Sequence, residues 1–145
     1  MPRPSVLTLD LEGTLISNSM SQIPRPGLFA FLEECRALFS RILIFTAVRE
    51  DRFRQIAHLL VEERVAPPWF ATVEFVSWEG KTKDLRFVQD ALVHETLLVD
   101  DFEAYVHPGQ ESQWVKVDGF DFPYSDKDEG LARVLSDLKL RLCVA

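Results

Sequence analysis

The sequence predicts an α/β fold, a parallel sheet of about five strands joined by right-handed crossovers with helices on both faces. Three observations predict it. Short apolar runs of strand length alternate with stretches whose apolar residues recur at helical spacing. The runs are continuous rather than alternating, as in strands buried on both sides. Several of them stop at a polar residue, Asp10, Thr46 or Asp100, where an open parallel sheet presents its carboxyl edge to ligands.

The first strand is expected over 5–11. Leu28, Phe31, Leu32, Cys35 and Phe39 then recur at helix spacing, with Pro26-Gly27 marking the entry. The second strand, "ILIFT", covers 42–46. Phe53, Ile56, Ala57, Leu60 and Val61 form the next helical stripe, and "APPWF" breaks the chain after it. A short third strand spans 73–76. Asp84 is placed to cap a helix running to about Leu92. The fourth strand, 96–99, meets Asp100-Asp101 at once, and a fifth is expected at 113–117. Leu131, Val134, Leu135 and Leu138 give a last amphipathic helix.

A chain of 145 residues is read as one domain over 1–145, large enough for a proper core. A formal net charge of −7 argues against non-specific nucleic-acid binding, which rewards clustered Lys and Arg. Cys35 and Cys143 form neither a CxxC pair nor a ligand cluster, and Cys35, on an apolar helix face, reads as a buried structural thiol. Nothing requires an oxidising compartment, "MPRPSVLTLD" lacks a signal-peptide apolar region, and no apolar run reaches membrane-spanning length. The expected location is the cytoplasm, with no membrane partner.

If the strands are parallel and adjacent, their terminal residues share one rim: Asp10 with Glu12, Gly13 and Thr14 in the following turn, then Thr46, then Asp100 and Asp101. Lys81 or Lys83, between the third and fourth strands, adds an ammonium. Taken singly each is an ordinary turn, cap or loop residue; their order along successive strand ends is what makes the set specific. Clustered carboxylates repel and invite a hard divalent cation, and Mg2+ takes oxygen ligands, waters and a substrate phosphate. One carboxylate can attack phosphorus to give an aspartyl-phosphate, while a lysine and a hydroxyl hold the phosphoryl oxygens. Gly13 permits a tight turn beside the ligand. His58, His94 and His107 show no triad or metal spacing and read as structural or surface residues.

"LDLEGTL" resembles the first motif of the haloacid dehalogenase superfamily, hydrophobics followed by DxDGT(L/V). "ILIFTA" resembles its second motif, "KTKDL" its lysine motif and "LLVDD" its acidic fourth motif, in order over residues 6 to 101. More narrowly, "PRPGLFAFLEECRALFSRILIFTA" is similar to the Arg-Pro-Gly-x-x-x-Phe-Leu segment of the small NIF-like, C-terminal-domain-type phosphatases. There the lysine precedes Asp-Leu, as Lys83 does, and the fourth motif reads Val-Asp-Asn or Val-Asp-Asp. The resemblance implies a three-layer Rossmann-like sheet with Asp10 as nucleophile and Thr46 and Lys83, with Lys81 as the alternative, on the phosphoryl group. It also implies Mg2+ held by Asp10, the backbone carbonyl of Glu12 and Asp101, with Asp100 close by. Larger relatives carry a cap domain; neither 16–24 nor the stretch between Thr46 and Lys83 leaves room for one. An open site suits a phosphorylated substrate that is macromolecular or bulky. Loops 16–24 and 105–112 are expected to touch it, and the aromatics of "QWVKVDGFDFPY" either line the rim or pack in the core.

Residue 12 departs from the pattern. Ester-hydrolysing relatives usually place Asp there, as general acid on the leaving oxygen and then base on water. Glu12 keeps the carboxyl and carbonyl but adds a methylene, a reach of roughly 1 Å, and misplacement on that scale can cost on the order of 100-fold in rate. Intrinsic acidity differs little, about 4.3 against 3.9. The expected function is a Mg2+-dependent phosphohydrolase if the turn or loop 16–24 accommodates the longer arm. The alternatives are a phosphate- or phosphoprotein-binding module that does not turn over, or a phosphotransferase.

Overall fold

The computed structural model describes residues 3–142, so Cys143 lies outside the described residues. The chain runs β1 (Val6–Leu9), α1 (Leu28–Leu38), β2 (Arg41–Ile44), α2 (Glu50–Glu62), β3 (Glu74–Phe75), β4 (Thr96–Asp100), β5 (Trp114–Lys116) and α3 (Gly130–Arg141). The five strands form one parallel sheet in the order β3-β2-β1-β4-β5. β1 is central because it pairs on both sides, Leu9 standing level with Ile44 of β2 and Val99 of β4. The next residues along, Asp10 and Asp100, therefore emerge side by side at the carboxyl edge. No cap domain interrupts the α/β framework.

Strand side chains alternate between faces, and here the faces are covered differently. Leu7, Leu9, Ile42, Ile44, Leu97, Val99 and Val115 share one core cluster with the buried stripes of all three α-helices. Those stripes are Leu28, Phe31, Leu32 and Cys35 of α1, Phe53, Ile56, Ala57 and Leu60 of α2, and Leu131, Val134 and Leu138 of α3. The helical periodicities read from the sequence fall on these elements. Burial, with the nearby charge of Glu34, pushes the Cys35 thiol up to about 12, which fits an inert structural role. Thr8, buried among apolar residues, satisfies its hydroxyl on the Leu97 carbonyl at 2.9 Å.

The opposite face carries no α-helix among the described residues. Val6, Leu43, Phe45 and Leu98 pack there against Val76, Leu85 and Val88, with Trp78, Phe87, Ala91, Val93 and Trp114 at the margin. This corrects two expectations, helices on both faces and a helix from Asp84 to about Leu92. The third layer is irregular chain, with 3-10 turns at Leu85–Phe87 and Val93–Glu95. Asp84 does cap, but it caps a single turn. Its Oδ1 accepts the Arg86 amide at 2.9 Å and its carboxylate also takes the Arg86 guanidinium, which pulls residue 86 back toward residue 84. Gln110 Oε1 accepts the Leu85 amide at 2.9 Å, and Asp90 takes a left-handed φ of 58°, ending the segment. The strands are also shorter than the apolar runs suggested, β3 being only Glu74–Phe75. No helix among the described residues is long and apolar enough to cross a membrane.

Phe53 is fully buried in the helical layer, its ring 5.6 Å from Phe70 and 5.5 Å from Phe75. Phe53→Ala is expected to cost about 3–5 kcal/mol, read as a lowered urea midpoint with an unchanged m-value.

Candidate active site

The carboxyl edge of β1 and β4 gathers three carboxylates around one ammonium. Lys83 is wholly buried and donates to Asp10 Oδ1 at 2.9 Å and to Asp100 Oδ2 at 2.5 Å. Asp10 is 5% exposed, and its second oxygen accepts the Thr14 hydroxyl at 2.8 Å. Thr14 also lies 3.3 Å from Asp101 Oδ1. Asp100 Oδ1 is capped by the Phe102 amide at 2.9 Å. Oxygens of Asp10, Asp100 and Asp101 all lie within 4.8 Å of one another.

Charge does not balance in this cluster: three carboxylates face one lysine. Burial disfavours the charge on Lys83, but Asp10 and Asp100 outweigh it and hold the ammonium above the ordinary lysine value. Burial and the charge of Asp10 raise Asp100 to about 6 despite Lys83. Asp101, with no cation of its own, is raised to about 7 by burial, then by Asp10 and Asp100. A hard-oxygen donor set with excess negative charge fits a divalent cation. Asp101 is pressed close: a Cβ on Gly13 would lie 2.6 Å from its Oδ2, and Gly13 itself has φ +75. Only glycine serves at that position.

Two further sequence-predicted residues sit at the same edge. Thr46 follows β2, where the Phe45 amide bonds the Leu9 carbonyl at 2.8 Å, so it stands one residue beyond the level of Asp10. It is buried, and its Oγ1 accepts the Val48 amide at 3.1 Å, which leaves the hydroxyl proton available. Glu12 lies in the turn after Asp10, but its carboxylate stays outside the three-aspartate group. Its Oε2 accepts the Ser19 amide at 2.7 Å. Loop 16–24 thus does hold the longer arm.

Lys81 is exposed and Lys83 is not. The segment bearing Lys83 is fastened to the chain after β4. The Lys83 amide donates to the Tyr105 carbonyl at 2.7 Å, Thr82 Oγ1 meets His107 Nδ1 at 2.7 Å, and Gln110 Nε2 donates to Asp84 at 2.8 Å. Arg86 chiefly, with Gln110 assisting, holds the Asp84 carboxyl well below the usual range. The Lys83 ammonium also lies 4.5 Å from the Tyr105 ring centroid. His107 is thus structural, and His58 pairs with Glu62 on the surface. Loop 105–112 reaches the site from behind, as the lysine's support.

Sequence reasoning assigned no role to Thr14, Arg25 or Asp128. Arg25 is 1% exposed. Its Nη1 lies 3.3 Å from both the Gly13 and Thr14 carbonyls, and Asp128 holds its other nitrogens at 2.7 and 3.2 Å. This ties the turn that carries Glu12, Gly13 and Thr14 to the start of α3. The charged residue between two prolines in "PRPG" was the available signal for Arg25; nothing marked Asp128. Gly130 is required beside them, since any Cβ there would collide with the Arg25 guanidinium.

A carboxyl whose folded pKa is raised gives stability that is complete below its unfolded value and lost as pH rises toward the folded one. For Asp101 that window runs from the ordinary aspartate value of 3.8 to about 7. In EDTA, Asp101→Asn is therefore expected to melt above wild type at pH 8. With solvent access discounted the gain is about 1 kcal/mol, a shift of about 3–6 °C. The gap should close toward pH 4. Calorimetry at the two pH values checks this, and equal melting temperatures at pH 8 would show that Asp101 carries no uncompensated charge.

Residues 5–142 match the model of the NLI interacting factor-like phosphatase family. No curated protein matches the chain. With its carboxylate-lysine edge and its capless parallel sheet, the chain belongs to the NLI interacting factor-like phosphatases, small phosphatases of the haloacid dehalogenase type.

Proposed function

We propose that the protein is a Mg2+-dependent phosphatase that hydrolyses phosphate monoesters through an aspartyl-phosphate on Asp10. The observation that carries this reading is the buried Lys83 bridging Asp10 and Asp100, with Asp101 left as an unpaired carboxylate in reach of both. Mg2+ would be held by Asp10, Asp101 and the Glu12 carbonyl, with Asp100 close by, and would supply positive charge to the phosphoryl oxygens.

Lys83 and Thr14 fix the Asp10 carboxylate through one oxygen each, so its orientation is set before substrate arrives. In the first step an Asp10 oxygen bonds to phosphorus and the ester P–O bond breaks. The departing oxygen takes the proton of the Glu12 carboxyl. Lys83 and the Thr46 hydroxyl donate to the phosphoryl oxygens. In the second step the Glu12 carboxylate takes a proton from water, whose oxygen bonds to phosphorus. The bond to Asp10 breaks, inorganic phosphate leaves, and both carboxyls return to their starting states. The Ser19 amide keeps one Glu12 oxygen occupied and the other free for this exchange.

Hydrolysis of p-nitrophenyl phosphate with Mg2+, and its loss in EDTA, is the test. Asp10→Asn should lower kcat by at least about 1,000-fold. Glu12→Gln separates the two steps. Nitrophenolate departs without an acid, so the first turnover should survive as a burst while steady turnover falls about 100-fold or more. No release from wild type with Mg2+ would overturn the phosphatase reading. An unchanged steady rate in Glu12→Gln would remove Glu12 from the acid-base role.

A further inference from the structure

The reaction just proposed, on which this inference rests, dictates where the alcohol half of the substrate lies. Glu12 must reach the ester oxygen, so the leaving group sits on the Glu12 side of the edge. That side holds a hollow of about 330 Å3 lined by Glu12, Ser19, Ala47, Val48, Arg49 and Arg52. Two arginines are a local excess of positive charge on a chain of net charge −7.

Neither arginine is spent on a strong ion pair. Arg52 donates to the Ser19 carbonyl at 2.6 Å and to Gln55 at 3.2 Å, both neutral acceptors. Among the described residues Arg49 meets only Asp51, at 3.3 Å, and the two side chains are 84% and 69% exposed; such a pair is weak and yields readily to a better-placed anion. The contrast with Arg54 is useful, since its charge is taken by Glu50 at 3.1 Å. Within the hollow the two arginines outnumber the single carboxylate, Glu12. Ala47, Val48 and Arg49 also line a neighbouring trough of about 710 Å3, where Glu50 and Asp51 face Arg54 and the apolar wall is Phe75, Val76 and Trp78.

We infer that Arg49 and Arg52 form a subsite for a second anionic group, a carboxylate or phosphate, carried on the leaving alcohol of the phosphomonoester. The ligand is a small polyanionic ester or an acidic residue beside a phosphorylated side chain; the shared chemistry is an anion close to the scissile bond. Ser19 links the subsite to catalysis, since its carbonyl is held by Arg52 and its amide holds Glu12.

Two pairs of esters test this at low salt with Mg2+: phenyl phosphate against 4-carboxyphenyl phosphate, and a phosphoserine peptide with Glu neighbours against the same peptide with Ala. Wild type should prefer the more anionic member by about 5-fold in kcat/KM, the scale of a partly solvated ion pair. The preference should shrink as salt is raised. In the double variant Arg49→Gln/Arg52→Gln the ratio should fall to about 1 whatever happens to the common rate. Arg49→Glu, which leaves the Ser19 contact in place, should turn the peptide preference toward Lys neighbours. A preference confined to the peptides would identify a chain as the source, and one shared by both pairs a small ester. No preference in wild type, or one that survives the double variant, overturns the subsite while leaving the phosphatase reading intact. If no ester is turned over, the phosphatase reading falls. Calorimetric binding of the same esters then decides the subsite, and equal Kd values within each pair overturn it.

Discussion

A fully buried ammonium held between two carboxylates is the constraint on which the rest of this structure depends. Removing a lysine charge from water costs several kcal/mol after relaxation, and Lys83 is tolerable only because Asp10 and Asp100 both meet it. Those two carboxylates are neighbours because β1 and β4 pair in register at the middle of the sheet. The pairing of ionic groups therefore requires the strand order, and the strand order supplies the groups. What the arrangement leaves over is Asp101, a carboxylate with no cation of its own. A site organised for stability would not leave that charge there. The excess carboxylate fits a divalent cation instead.

The same requirement explains why one of the four expected helices, that from Asp84, is missing. The first-turn N–H groups of a helix starting at Asp84 need acceptors from outside the helix ladder, and Gln110 and Asp84 take those of Leu85 and Arg86. Asp84 is also engaged by Arg86 and Gln110, and the preceding residues are bonded to the Tyr105 carbonyl and to His107. Each contact fixes the backbone on either side of Lys83, so that a long flexible side chain arrives at one point. The irregular layer still buries apolar surface, through Leu85, Val88 and Val76, but its backbone conformation follows from the lysine rather than from helical packing. The pairing of buried Arg25 with half-buried Asp128 does comparable work for the turn after Asp10. The two supports use different stretches of chain, 82–110 for the lysine and Arg25 with Asp128 for the turn.

Much of this was legible in the sequence, for identifiable reasons. Continuous apolar runs ending in Asp or Thr marked the strands and the carboxyl edge, though not their order in the sheet, because burial on both faces erases alternation and a ligand edge needs polar residues at fixed points. Helical stripes such as Phe53, Ile56 and Leu60 were legible because periodicity is a local property. Two things were not. "DLRFVQDAL" carries enough apolar residues for a helix, and only a partner distant in sequence, Gln110, together with the local Asp84–Arg86 pairing, diverts it into a single turn. Asp128 is likewise an ordinary loop residue until the fold sets it against a buried arginine. Side-chain contacts across more than about a hundred residues leave no local pattern to read.

Glu12 shows how a change that looks damaging in sequence can be absorbed in structure. The extra methylene would overshoot if the arm were free, and a free arm would also lose rotamer entropy on every productive approach. Here the Ser19 amide takes one carboxylate oxygen at 2.7 Å, and the Ser19 carbonyl is in turn fastened by Arg52 at 2.6 Å. The turn around Ser19 is itself braced, since Asn18 accepts the Met20 and Ser21 amides at 2.9 Å. The longer side chain thus gains a backbone anchor outside the three-aspartate cluster. Its charge is kept away from Asp101, where a fourth carboxylate would raise the cost of an already unbalanced site. The same anchor sets Glu12 in the wall of the arginine-lined hollow, beside Ser19 and Arg52.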